Sequence, residues 1–192
     1  MALRTERLVL DAPRESDIGA VFDACQDAEL QRWVPIPSPY SHEDAEFFVR
    51  SYVPHGASSG RYAVWALRRD DDPLIGIVEV RRDDAAGSAS LGCWLAPASR
   101  GNGYMREAHR KVMEYALDPG GMGFTRLRWE SIVGNEASLA LALALGFSFE
   151  PGVSHEVEFR GEKRTAITGY RFRDSAGGQA TRASPVADTS AF

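Results

Sequence analysis

Apolar and polar positions alternate along this chain in two rhythms, and the switches between them mark out the elements. Leu8-Val9-Leu10, after Thr5-Glu6-Arg7, reads as an opening strand. Ile18, Val21, Phe22 and Cys25 then recur at helical spacing behind Ser16 or Asp17, either of which can cap a helix. Trp33 to Tyr40 carries three prolines and two aromatic residues and cannot be helix. Ser41-His42-Glu43-Asp44 opens a second helix in a capping-box arrangement, with Ala45, Phe48, Val49 and Tyr52 on its inner face. Three apolar strands follow, Tyr62 to Leu67, Leu74 to Arg81 and Ser90 to Leu95. Their links, Arg68 to Pro73 and Asp83 to Gly87, are short and turn-like, which predicts antiparallel hairpins rather than crossovers.

The second half repeats the exercise with one conflict. Tyr104, Ala108, Val112 and Tyr115 predict a helix ended by Pro119-Gly120-Gly121, and Arg126 to Val133 predicts a strand. Leu139 to Leu145 alternates Leu and Ala without a break, which taken literally is a strand. Ala and Leu are strong helix formers, no β-branched residue interrupts them, and Asn135 and Gly146 stand at the two cap positions, so a helix is expected. Phe147-Ser148-Phe149 and Thr165 to Phe172 close the sheet. From Ser175 onward Gly, Ser, Ala and Thr dominate without an apolar period, and residues 175–192 are read as a disordered tail behind one domain of residues 1–174.

Composition narrows the function classes. With 192 residues and 44% hydrophobic content the chain can bury one good core. A net charge of −5 argues against nucleic-acid binding, which needs a basic face, and suits a cationic partner such as an amine. No apolar run is long enough for a bilayer, the first ten residues are too charged for a signal peptide, and two cysteines make no disulfide framework. A cytoplasmic protein without membrane partner or metal is expected; His42, His55, His109 and His155 show no metal-ligand spacing.

The candidate chemistry is concentrated in Arg100-Gly101-Asn102-Gly103-Tyr104-Met105. A strand stopped by Pro97, a loop of two glycines and a helix start together present backbone N–H groups to a phosphate at the positive end of a helix dipole. Three further segments stand in order around it: Thr5-Glu6-Arg7-Leu8-Val9-Leu10, Gly92-Cys93-Trp94-Leu95-Ala96-Pro97, and Gly134-Asn135-Glu136-Ala137-Ser138 with Leu145-Gly146-Phe147. Together they resemble the GNAT acetyltransferases, in particular the RimJ/RimL-type subgroup that acetylates N-terminal amines of ribosomal proteins. Arg100, Gly103 and Met105 fall on the fixed positions of the coenzyme A loop Q/R-x-x-G-x-G/A, with Met105 a departure from the usual Gly or Ala, and Cys93 stands in a tyrosine slot.

That resemblance implies an α+β fold: a central mixed, mostly antiparallel sheet with a splayed fourth and fifth strand pair, flanked by helices. It implies acetyl-CoA as cosubstrate, its pyrophosphate over Arg100, Gly101, Asn102, Gly103, Tyr104 and Met105, and its pantetheine arm in the splay against backbone of Cys93, Trp94 and Leu95. Asn135 resembles the asparagine that binds this arm, and Ser138 the proton donor to the leaving thiolate; Ala142 excludes the tyrosine that many relatives use. Trp33, Tyr40 and Phe47 resemble an acceptor wall by position. The base is open: Ala89-Ser90 stand where many relatives carry glutamate, leaving Glu130, Glu79 or no dedicated base. Cys93 is expected to pack rather than act as a nucleophile. The acceptor is a peptide N-terminus or a small amine, a homodimer is possible, and a degenerate domain that binds coenzyme A as a sensor is the competing reading.

Overall fold

The computed structural model describes residues 1–69 and 73–174. The 175–192 tail and the middle of the Arg68–Pro73 turn lie outside the described residues. The chain runs β1 (Leu3–Arg4), β2 (Val9–Asp11), α1 (Ile18–Cys25), α2 (Ala28–Trp33), α3 (His42–Phe47), α4 (Val53–Ser59), β3 (Tyr62–Arg68), β4 (Gly76–Arg82), β5 (Ser88–Leu95), α5 (Tyr104–Leu117), β6 (Arg126–Ile132), α6 (Glu136–Ala144), β7 (Ser148–Phe149), β8 (His155–Phe159) and β9 (Glu162–Phe172). One sheet holds all the strands in the order β1-β2-β3-β4-β5-β6-β9-β7, with β8 paired to β9. Every pairing is antiparallel except β5 with β6, which α5 joins as a crossover.

Helices cover both sheet faces, so there are two cores. Val78, Val80, Leu127 and Trp129 meet Ala108, Val112, Met113 and Ala116 of α5 on one face. Val64, Ala66, Ile77 and Trp94 meet Ile18, Val21, Cys25, Ala45 and Val49 on the other. A buried ion pair ties this second layer to the sheet: Arg68 donates from both terminal nitrogens to Asp17, at 2.6 and 2.5 Å, and from Nε to Asp11 at 2.8 Å.

The α5, β6 and α6 expectations hold, including the helix where the Leu–Ala alternation pointed to a strand. In a helix, leucines two apart cannot all face the core, and Leu143 is accordingly 56% exposed. Other elements depart from expectation. The opening strand is a hairpin, β1 and β2, turned by Thr5 N–H donating to the Leu8 carbonyl. That extra strand makes the splayed pair β5 and β6 in chain order.

Ser41 and Asp44 form the expected capping box, but the helix does not stop where its apolar period fades. It passes through a π turn at Phe48–Tyr52, where Val53 N–H donates to the Phe48 carbonyl five residues back, and continues as α4 past Pro54. Asp17 stands at the α1 cap position, yet its carboxylate is spent on Arg14 N–H and Arg68 instead of a helix N–H. α2 and β8 are additional elements, the former capped by Asp27, which accepts from Leu30 N–H at 2.8 Å.

Candidate functional site

The β5–β6 pair opens beyond its first three residues. Ser88, Ala89 and Ser90 register with Arg126, Leu127 and Arg128, and the ladder goes no further, although β5 runs to Leu95 and β6 to Ile132. Two bonds fix which backbone groups face the gap. Gly87 O accepts from Arg126 N–H on the β6 side, and Ala96 N–H donates to Ile75 O on the β4 side. Because strand residues alternate edges, Cys93 and Leu95 turn their backbone groups into the gap, and Trp94 turns its own to β4 opposite Ile77. Of the backbone groups expected to meet the arm, those of Cys93 and Leu95 face the gap and those of Trp94 face β4.

At the open end of the gap lies the glycine loop. Gly101 and Gly103 both adopt positive φ, at 80° and 77°, a region that side chains avoid. Gly103 is the N-cap of the fourteen-residue α5, and Glu107 N–H is the first to find an intrahelical acceptor, the Gly103 carbonyl. The preceding N–H groups, those of Tyr104, Met105 and Arg106, belong to the free first turn of a helix. Donors and dipole thus converge on residues 101–106.

The Thr5-Glu6-Arg7 segment explains itself here. Thr5 Oγ1 donates to Glu107 Oε1 at 2.6 Å, Arg7 N–H to the same oxygen at 3.0 Å, and Arg7 Nε to Oε2 at 2.7 Å. Arg7 also donates to the Asn102 carbonyl at 3.2 Å and lies over the Tyr104 ring at 4.8 Å. Burial alone would raise Glu107, but these donors outweigh it and hold its carboxyl below the usual range. The opening hairpin is a clamp on the α5 start, a role for Arg7 and Glu107 that residue spacing did not announce. Arg100 is likewise occupied: its guanidinium bonds Asp27 at the α2 cap and donates from Nε to the Leu95 carbonyl at 3.1 Å. In this geometry it ties loop to α2 rather than reaching over the glycines.

Across the gap, Asn135 caps α6, its Oδ1 accepting from Ser138 N–H at 3.1 Å. Ser138 Oγ accepts from the Trp129 indole N–H at 3.0 Å, so the oxygen is held while its own proton stays available to donate. Replacing Asn135 by Ala is expected to cost about 1 kcal/mol through the lost cap and to weaken coenzyme binding as well. Denaturation and calorimetry on one sample separate the two, and a stability loss with unchanged affinity leaves the cap alone.

The two carboxylates differ. Glu79 is buried on the α3–α4 face, accepting from Tyr52 O–H at 2.6 Å and Arg81 at 2.9 Å, across from Gly92. Burial and this carboxylate push the Tyr52 hydroxyl well above its ordinary range. Glu130 is two residues beyond the last β5–β6 pair, accepting on one oxygen from Arg128 at 3.0 Å and facing His155 Nε2 at 3.2 Å. Burial pushes the Cys93 thiol up to about 12, so it is a neutral packed thiol.

Of Trp33, Tyr40 and Phe47, Trp33 stands beside the α6 cap: its ring comes within 3.6 Å of where a Gly134 side chain would begin, next to Asn135. Phe47 is 62% exposed on the surface of α3. Tyr40 is buried against Cys25 in the second core, where burial and the thiol raise its hydroxyl, and it offers no face to an acceptor. Among the described residues no group of three or more His, Cys, Asp or Glu is placed to hold a metal, and no helix is long and apolar enough to cross a membrane.

Comparison with known proteins places the family and the fold. Residues 7–148 match the model of the acetyltransferase (GNAT) domain. YoaA of Bacillus subtilis (strain 168), an uncharacterised N-acetyltransferase, is 27% identical over 150 residues, covering 77% of this chain and 83% of that protein. Among solved structures, the RimL ribosomal L7/L12 alpha-N-protein acetyltransferase in complex with coenzyme A superposes with a TM-score of 0.78 at 20% identity, covering 90% of this chain and 98% of that one. The ribosomal-protein-S5-alanine acetyltransferase of Vibrio fischeri gives 0.75 at 17% identity, covering 93% and 100%.

Proposed function

The chain belongs to the GNAT acetyltransferase family, and from that premise we propose that it moves the acetyl group of acetyl-CoA directly to a primary amine, foremost the α-amine of a protein N-terminus. The observation that carries this is the open β5–β6 gap with a positive-φ glycine loop and a free helix start at its mouth. The fit is chemical as well as spatial. The first-turn N–H groups of α5 suit a pyrophosphate, and the Cys93 backbone with the Leu95 N–H suits the amides of a pantetheine arm. A Cys93 or Leu95 N–H directed into the gap also suits the oxygen of a thioester as charge builds there. The likeness to RimL and to the S5-alanine enzyme supports a peptide acceptor over a small amine.

Ser138 supplies the leaving thiolate with a proton. Its oxygen is fixed by Trp129 and its hydrogen is free to point at the gap. A coenzyme A thiol has a pKa near that of cysteine, about 8.5, so a donor helps without being indispensable. Ser138→Ala is expected to lower kcat by about 100-fold, with acetyl-CoA affinity nearly unchanged. Wild-type kcat in the variant assigns the proton to water; a loss confined to affinity makes Ser138 a binding residue.

The acceptor is tested by incubating the protein and acetyl-CoA with serine-, alanine- and methionine-initiated peptides, spermidine and kanamycin. Fragmentation of the products places each acetyl group. Modification of peptide α-amines is expected, and exclusive modification of the small amines contradicts the peptide assignment.

A further inference from the structure

The amine that attacks a thioester must first lose a proton, and one side-chain pair starts at the gap: Glu130 of β6 borders it, and His155 reaches Glu130 from β8. β6 separates two faces at adjacent residues. Trp129, with Ser138 bonded to it, faces α5 and α6, whereas Glu130 faces the opposite side. His155, at the start of β8, registers with Ala166 of β9, which in turn registers with Ile132, so it reaches Glu130 across β9. His155 Nε2 lies 3.2 Å from Glu130 Oε2. Both side chains remain accessible, at 42% and 38%.

Their surroundings continue the chain of charge. Arg128 of β6 donates to Glu130 at 3.0 Å and to Asp83 at 3.3 Å. Burial alone would raise Asp83, and the Arg128 and Ser88 donors bring it below its ordinary range. Arg164 of β9 shares the His155 face but spends its guanidinium on the Arg32 carbonyl at the end of α2. Arg32 and Glu29 of α2 pair with each other at 3.6 Å. Among the described residues Glu130 is the carboxylate in hydrogen-bond reach of the imidazole, and Arg128 holds Glu130 while itself held by Asp83.

We propose that His155, oriented by Glu130, is the proton acceptor for the incoming ammonium, on the opposite face of β6 from the Ser138 proton donor. This rests on the acetyltransferase reading above. With Nε2–H donating to Glu130, Nδ1 carries the lone pair, and histidine is the side chain whose ordinary titration lies near neutral pH. The ammonium gives one proton to Nδ1, and its nitrogen forms the C–N bond as the C–S bond breaks. The thiolate takes the Ser138 proton, and the serine regains one from the acylated nitrogen. The imidazolium then releases its proton to solvent, so one proton is produced per acetyl group transferred.

The test is the pH dependence of kcat/KM for a short serine-initiated peptide and for spermidine. In the wild type it should rise through the histidine range and level off. In His155→Gln the value for the peptide at pH 7 is expected to drop about tenfold, because an α-amine of pKa about 8 is only about one-tenth neutral there, and to recover as pH passes that pKa, with acetyl-CoA affinity unchanged by calorimetry. Glu130→Ala, which removes the oxygen that holds Nε2, should lower kcat/KM at pH 7 in the same direction, again with acetyl-CoA affinity unchanged. An unaltered pH limb in His155→Gln, or a parallel loss of acetyl-CoA affinity, overturns the assignment. A wild-type protein that binds acetyl-CoA and acetylates none of these amines overturns the acetyltransferase reading instead, a result distinct from an active enzyme whose pH limb ignores His155.

Discussion

Replacing Gly103 by valine is expected to weaken acetyl-CoA binding by at least about 100-fold, near 2.8 kcal/mol, while the fold survives. Two effects act together. At φ 77° a residue with a β-carbon is strained by about 1–2 kcal/mol, and a β-branched one by more, so the loop will relax and turn its N–H groups away. What remains of the approach to the helix start is then narrowed by the new methyl groups. The rest of the molecule hardly notices, because an added Cβ meets no backbone and only the Arg7 guanidinium end, at 3.7 Å. Calorimetry with acetyl-CoA and a thermal melt on the same sample check both halves. Unchanged affinity removes the loop from the site; collapse of the melt makes Gly103 a folding residue.

The largest stability effect is expected at Arg68. Its side chain is 3% exposed and Asp17's is 2%, so removing either charge strands the other in the interior. Arg68→Ala should cost about 3–5 kcal/mol, a large part of the 5–15 kcal/mol typical of a domain. Changing Arg68 to Met and Asp17 to Leu together should recover much of that loss, because no lone charge then remains buried. Burial alone would raise Asp17, and Arg68 more than offsets it, leaving the folded carboxyl below its ordinary 3.8. A depressed carboxylate contributes stability above about that pH and loses it as acid protonates the folded form. Urea titrations of the single and double variants decide the matter, and a single-variant loss under about 1 kcal/mol shows that the pair does not hold the α1 layer to the sheet.

How much of this was legible in the sequence depends on range. The glycine loop, the α5 and α6 helices and the hairpins through β3, β4 and β5 rest on signals within a dozen residues, and each was readable. The α6 case shows which signal wins: propensity and caps outweighed a perfect period of two, at the cost of an exposed Leu143. β8 is not legible because His155-Glu156-Val157-Glu158-Phe159 holds only two apolar residues, too short a pattern to stand out from a loop.

The contacts that shape the candidate site span far more chain. Thr5 meets Glu107 across 102 positions, Arg100 meets Asp27 across 73, and His155 meets Glu130 across 25. Nothing local marks Arg100 as a tether to α2 or Glu107 as the anchor of the opening hairpin. Nor can a motif reveal which strand edge a backbone group faces, and for Trp94 the register with Ile77 decided it.

Release of free thiol from acetyl-CoA, followed continuously in the presence of a serine-initiated peptide and compared with the same protein without acceptor, tests the central claim most directly. The account predicts acceptor-dependent release, with one acetyl group appearing on the peptide for every thiol, and loss of that rate in Gly103→Val through failure to bind acetyl-CoA. Tight binding of acetyl-CoA with no thiol released over the whole panel of peptides and amines would contradict it, and would make the domain a sensor of coenzyme A instead.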